Sequence, residues 1–233
     1  MRIAALVALS LLVAGCSHPV GDRSGQPQTS VPTSPTRASA SGTASKPATP
    51  SAAPAAGAPI SDVIAWIEAG HSVDPGGYHS ASRAGISTQL GTDIAFVLPS
   101  GQSDTGRPVT CMTDSKHTDG TLSCLISLNS PPPKPETAYG DWKSGWVDFD
   151  GIILQVGSVR ADPGPFLYGD GSQLAAGDSL AFGDYRCRAD RAGVFCVNYA
   201  HQSAARFSSA GIEPFGCLRS VPPPDGVGIA FSC

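Results

Sequence analysis

The distribution of apolar and polar positions divides the chain into three parts. From Ile3 to Val13 the residues are almost all apolar, a run about half the length needed to span a bilayer. Ser17 to Pro59 then holds nothing that builds a core. Of these 43 residues, 34 are Ala, Pro, Ser, Thr or Gly, and none is aromatic, Leu or Ile. Such a segment buries too little apolar surface to offset its ordering entropy. From Ile60 onward the apolar residues return with a period. Val63, Ile64, Trp66 and Ile67 recur at helical spacing, with Ser61 placed to cap and Gly70 to stop the element. This predicts a short helix whose apolar stripe docks on a core. Beyond residue 90 the runs shorten and are cut by Gly, Pro, Asp and Asn. They predict strands at Ile94–Leu98, Pro108–Thr113, Thr121–Leu128, Gly145–Phe149, Ile152–Val156, Ser179–Phe182, Tyr185–Ala189 and Val194–Tyr199. Ala204–Ala210, stopped by Gly211, reads as a second helical turn. The expected fold is mainly β, with α+β as its variant. It is a single small domain over residues 60–233, built of short antiparallel hairpins with one or two short helices.

The first apolar run follows the basic Arg2 and ends in Val13-Ala-Gly-Cys16, the layout of a secretory signal. These residues resemble the bacterial lipobox. That resemblance implies cleavage before Cys16, leaving residues 1–15 as the signal peptide, with a diacylglycerol on the Cys16 thiol and an acyl chain such as palmitate on its freed amine. Two or three chains anchor far better than one, since each buried CH₂ contributes about 0.8 kcal/mol. The expected location is the extracytoplasmic side of the cell membrane. Residues 16–59 then form a lipidated cysteine and a linker. Its prolines favour extended chain with a reach of roughly 130 Å, and its Ser/Thr-Pro mixture resembles O-glycosylated stalks.

Charge narrows the partners. The whole chain carries −4, but from Ile60 onward 11 Lys or Arg face 18 Asp or Glu. A domain at −7 with no basic, aromatic-laced patch has no reason to bind nucleic acid or an anionic lipid surface. The membrane is an expected partner through Cys16 alone, and no protein or envelope ligand is specified.

Six cysteines remain after Cys16, an even number in an exported chain, and none shows the close spacing of a zinc ribbon. Folding Tyr185–Ala189 against Val194–Asn198 about Asp190–Gly193 sets Cys187 opposite Cys196 and Tyr185 opposite Asn198. Folding Val109–Thr113 against Leu122–Ile126 sets Cys111 opposite Cys124. Opposed Cα atoms in such ladders lie about 4.5–5.5 Å apart, within disulfide reach. Cys217–Cys233 follows by elimination. In the chain-entropy account each bridge contributes on the order of 3 kcal/mol. A faint echo accompanies the hairpins: Gly91-Thr-Asp-Ile-Ala-Phe96 precedes the first and Gly177-Asp-Ser-Leu-Ala-Phe182 the second, as in two related β units.

Several segments together are similar to mycobacterial lipoproteins of the LppI kind. They are the lipobox, the Pro/Ala/Ser-rich tail, Ala58–Gly70, Trp146-Val-Asp-Phe-Asp-Gly151, Pro163–Gly169, Phe182–Asp190 and Gly211–Cys217. More loosely, Pro99-Ser-Gly101, Tyr168-Gly169, Cys187 and Cys196-Val-Asn198 resemble a pattern of small actinobacterial secreted proteins, from which Gln102–Pro108 departs as an insertion. The resemblance implies a mycobacterial envelope location and a disulfide-bonded domain, and carries no established activity.

The search for chemistry returns little. Gly177-Asp-Ser179 lacks the closing glycine of a nucleophile elbow, and the metalloprotease, phosphate-loop and dinucleotide motifs do not occur. His71 and His79 straddle a turn at Asp74–Gly77, His117 and His201 stand apart, and His18 lies in the linker. These read as solvated loop histidines, so no metal, cofactor or catalytic residue is assigned. Asp148 and Asp150 flank Phe149 as paired carboxylates at a strand end, a pattern that serves glycoside hydrolysis and, with Gly151, also plain turn chemistry. Trp142 and Trp146 read as core before they read as a binding surface. The functional expectation is a non-enzymatic binding or structural module of the envelope. The alternatives are a wall-directed hydrolase using Asp148 or Asp150 and a carrier of an apolar ligand.

Overall fold

Two β-sheets, packed face to face, account for most of the domain. The computed structural model describes residues 52–99 and 108–233, all within one unit that runs from Pro47 to Cys233. Cys16, the signal run, most of the linker and the segment from Ser100 to Arg107 lie outside the described residues.

The architecture is mainly β, as the short alternating runs predict. The one α-helix among the described residues, α1 (Ile60–Glu68), buries Val63, Trp66 and Ile67. It starts two positions earlier than a Ser61 cap would place it. Pro59 is the N-cap, and Ser61 sits inside the first turn, where its hydroxyl meets Asp62 and not an orphan amide. Burial of the Ile60 face against the same cluster as Ala53 and Ala58 accompanies this start.

The six-stranded sheet is ordered β1-β10-β11-β12-β13-β14. It consists of β1 (His71–Ser72), β10 (Asp178–Phe182), β11 (Tyr185–Asp190), β12 (Gly193–Asn198), β13 (Ser203–Ser208) and β14 (Gly211–Gly216). Helix α1 covers its outer face, where Trp66 lies 4.8 Å from Phe195 between ring centroids. Phe215, Val197 and Ala204 complete that small cluster.

The other sheet has ten strands, ordered β15-β16-β8-β7-β6-β5-β4-β9-β2-β3. They are β2 (Ser80–Arg83), β3 (Ile86–Gln89), β4 (Ala95–Val97), β5 (Thr110–Thr113), β6 (Leu122–Leu125), β7 (Trp142–Phe149), β8 (Ile153–Val159), β9 (Asp170–Gln173), β15 (Arg219–Val221) and β16 (Val227–Ser232). Its inner face contributes Phe96, Leu122, Val147, Phe149 and Leu154 to the main core, which the six-stranded sheet completes with Leu180, Tyr185, Ala205 and Phe207. Its outer face carries a third cluster, in which Met112, Trp146 and Ala95 meet Phe166 from the 3₁₀ turn Gly164–Tyr168.

Ala204–Ala210 is not helical. Ser203–Ser208 is a strand, and only Ser209-Ala210 forms a turn before Gly211 opens β14. Five of its six residues are buried. The small Ala204 and Ala205 therefore serve one face each of a central strand, which hides the alternation that an edge strand displays.

Both cysteine hairpins form in the expected register, with Cys187 opposite Cys196 and Cys111 opposite Cys124. The structure joins these pairs at Cα separations of 4.0 and 4.1 Å, and joins Cys217 to Cys233 at 4.9 Å. The 187–196 hairpin turns on Gly193, which has φ +119° and where a Cβ would fall 2.3 Å from the Phe207 carbonyl oxygen, leaving no room for a side chain.

The two echoing segments occupy equivalent places. Ala95–Val97 leads the antiparallel run β4 to β8, and Asp178–Phe182 leads the run β10 to β14. Each leader also carries one short parallel neighbour, β9 on β4 and β1 on β10. These neighbours are exchanged. β1 precedes the first run in the chain yet pairs with the second, and β9 precedes the second yet pairs with the first. The matching Phe96 and Phe182 meet across the core at 6.4 Å.

Candidate functional site

The carboxylates singled out from sequence lie at the β7–β8 hairpin. Strand β7 is irregular, with a register shift between Lys143 and Val147. Gly145 allows it: a Cβ there would fall 1.8 Å from the Ile126 carbonyl oxygen, so only glycine lets the two strands meet. Past the bulge the alternation resumes, and Val147 and Phe149 enter the core while Trp146 and Asp148 point to the outer face.

Asp148 is fully engaged there. Its Oδ1 accepts from the Ser123 hydroxyl at 2.6 Å and from the Trp146 indole N–H at 2.8 Å, and its Oδ2 accepts from the Arg160 guanidinium. Arg160 also lies over the Trp146 ring, 4.5 Å from its centroid, a cation–π contact that holds it beside the carboxylate. Phe166 meets the same indole edge-on at 5.0 Å. Trp146 is only 3% exposed, so it belongs to the packing and offers no open aromatic face.

Asp150 is engaged differently. Its Oδ1 accepts from the backbone N–H groups of Ile152 and Ile153 at 2.7 and 2.6 Å, the side-chain bond that closes a tight turn. Gly151 follows with φ +98°, and a Cβ on it would strike Asn198. Its carbonyl accepts from the Ser203 hydroxyl at 2.5 Å. The hairpin turn is therefore docked onto the six-stranded sheet. The two aspartates share the rim of a shallow hollow of about 270 Å³ with Gln155 and Thr121, but each carboxylate serves the fold.

A wider concavity lies on the other side of the bulge. An open groove of about 650 Å³ runs between Leu125, Ile126, Pro131, Trp142 and Lys143. Trp142 is half-buried, with its ring over Gly157 and beside Pro132. A second hollow of about 400 Å³ adjoins it around Lys143, Arg160, Asp162 and Phe166. Lys143 pairs with Asp141 at 2.6 Å, so the rim mixes both signs of charge.

Among the described residues the histidines do not converge. His71 meets Asp178 at 3.1 Å, His79 faces the Asp93 carbonyl at 2.9 Å, and His117 closes onto Asp114 at 2.8 Å. Among the described residues no group of three His, Cys, Asp or Glu is placed to hold a metal ion.

The chain matches no protein-family model, no curated protein and no solved structure. What the site does is therefore read from its own geometry. The sequence pointed to Asp148 and Trp146 but not to Ser123 and Arg160, which complete their cluster. Ser123 reaches Asp148 through the β6–β7 ladder, where the two are directly opposed. Arg160 follows the end of β8 and crosses the outer face to reach it. Neither pairing has a local spacing that would announce it.

Proposed function

We propose that this chain is an exported, lipid-anchored envelope protein whose β-sandwich acts as a non-enzymatic binding or structural module. The lipobox-like Val13–Cys16 and the likeness to LppI-type mycobacterial lipoproteins support the anchoring. The observation that carries the non-enzymatic reading is the state of Asp148. A carboxylate that already accepts three hydrogen bonds, one from an arginine, is a poor general acid or nucleophile, because its lone pairs and its charge are committed. Asp150 gives its Oδ1 to two backbone amides of the turn. The open groove beside the bulge suits contact with an extended partner better than enclosure of an apolar cargo, which requires a closed cavity.

The test is an assay of the full-length protein, with Asp148→Asn and Asp150→Asn beside it, on wall glycans and wall peptides. We expect no turnover from any of the three and a lowered melting temperature for Asp148→Asn, which weakens the hold on Arg160. Turnover that disappears in either variant at unchanged melting temperature would establish the hydrolase instead.

A further inference from the structure

The three disulfides differ in their access to solvent. Cys111, Cys124, Cys187 and Cys196 are all 0% exposed, on the inner faces of the two sheets within one core cluster. Cys217 and Cys233 are both exposed. Their bridge stands where the chain leaves β14 of the six-stranded sheet and enters β15 of the ten-stranded one. We propose that Cys217–Cys233 is a thiol–disulfide exchange site, open to an exported dithiol reductant while the other two bridges are closed to it.

Three features of this corner support exchange. An incoming thiolate must reach a sulfur from solvent, and only an exposed bridge permits that approach. Next, each sulfur already faces a carbonyl oxygen: Cys217 Sγ lies 3.5 Å from the His201 oxygen and Cys233 Sγ 3.8 Å from that of Gly151. After reduction each S–H therefore has an acceptor in place, so the reduced corner stays docked. Those acceptors lie in the β12–β13 and β7–β8 turns, one from each sheet. Finally, the Arg219 guanidinium donates to the Gly216 and Leu218 carbonyls, both at 2.9 Å. This wraps a positive charge around the backbone of Cys217, and a nearby cation favours its thiolate as leaving group.

The step balances with one dithiol. Its thiolate attacks Cys233 Sγ, the S–S bond breaks, and Cys217 leaves as a thiolate that takes a proton. The second thiol of the reductant then resolves the mixed disulfide. Two electrons pass to the protein, giving Cys217–SH and Cys233–SH, and the reductant becomes a disulfide. The domain survives the change because β16 stays hydrogen-bonded to β8 over Val227–Ser232.

The experiment treats the full-length native protein with graded dithiothreitol, alkylates the freed thiols, and maps them by peptide, which separates Cys16 from the rest. Alkylation at Cys217 and Cys233 is expected at least about tenfold faster than at the four buried cysteines, with the circular dichroism of the β-sheets retained. Arg219→Ala should slow it several-fold without changing the products. Labelling of all six cysteines together, or of a buried pair first, overturns the proposal. So does a reduced Cys217/Cys233 form, or a Cys217→Ser/Cys233→Ser variant, that has lost its sheet signal.

Discussion

At the residue scale the domain is governed by polar groups whose positions are plain in the sequence but whose partners are not. Tyr185 is an example. Its ring stacks on Phe182 at 5.5 Å and its hydroxyl donates to the Phe149 carbonyl at 3.0 Å. Burial, reinforced by Asp150 and Asp184 and opposed by hydrogen bonds, pushes its pKa up to about 12 from an ordinary 10.0. Tyr78 and Tyr199 are raised by burial too. A group whose folded pKa is raised binds its proton more tightly when folded, so its contribution is complete below pH 10 and fades as pH climbs toward 12. Urea denaturation of the wild type should therefore show stability falling between about pH 10 and 12. Tyr185→Phe should flatten that fall while losing about 1 kcal/mol near neutrality with its hydrogen bond. An equally steep alkaline decline in the variant would assign the effect to other groups. Asp148 teaches the same lesson from the other side. Its position at a strand end was plain from Trp146-Val-Asp-Phe-Asp-Gly151, but the guanidinium that occupies it arrives from beyond the next strand.

At the element scale, legibility follows burial geometry. Strands with one apolar face in the core and one polar, half-buried face, such as β11 with its alternating burial, announce themselves by period, and paired cysteines then fix their register. Strands outside that pattern stay silent. β3 exposes three of its four residues, and β9 is Asp-Gly-Ser-Gln, so neither carries an apolar period. β13 and β14 fail for opposite reasons. One is buried on both faces, and the other holds Pro214, as edge strands do. The helix was legible because its stripe is compact. Trp66 is 1% exposed, packs on Phe195, and has the Arg188 guanidinium stacked 3.9 Å from its ring centroid, donating to the Trp66 carbonyl. Trp66→Ala should cost about 3–5 kcal/mol by opening a cavity under the helix, read as a lowered urea midpoint. A loss below about 1 kcal/mol would mean that α1 is not an integral part of the folded unit.

At the scale of the whole molecule, anchoring is the property on which the functional proposal depends. Among the described residues no helix is long and apolar enough to cross a membrane. The proposed attachment runs through Cys16, and Cys16→Ser should move the protein from the detergent phase to the aqueous phase and remove the mass of the lipid. Unchanged partitioning and mass would end the lipoprotein reading. The exchanged strands carry a separate consequence, for the order of events during export. On the proposed export the chain emerges N-terminus first, and His71 meets its partner Asp178 only 107 residues later. The first run, in turn, lacks the neighbour of β4 until β9 has passed. The first run therefore cannot seal its leading edge with material already delivered, whereas the second finds β1 waiting when it emerges. Contacts this distant in sequence make folding slow and all-or-none. Through β1, the shortest of the described strands, and through the missing β9, the early half of the chain waits for the late one.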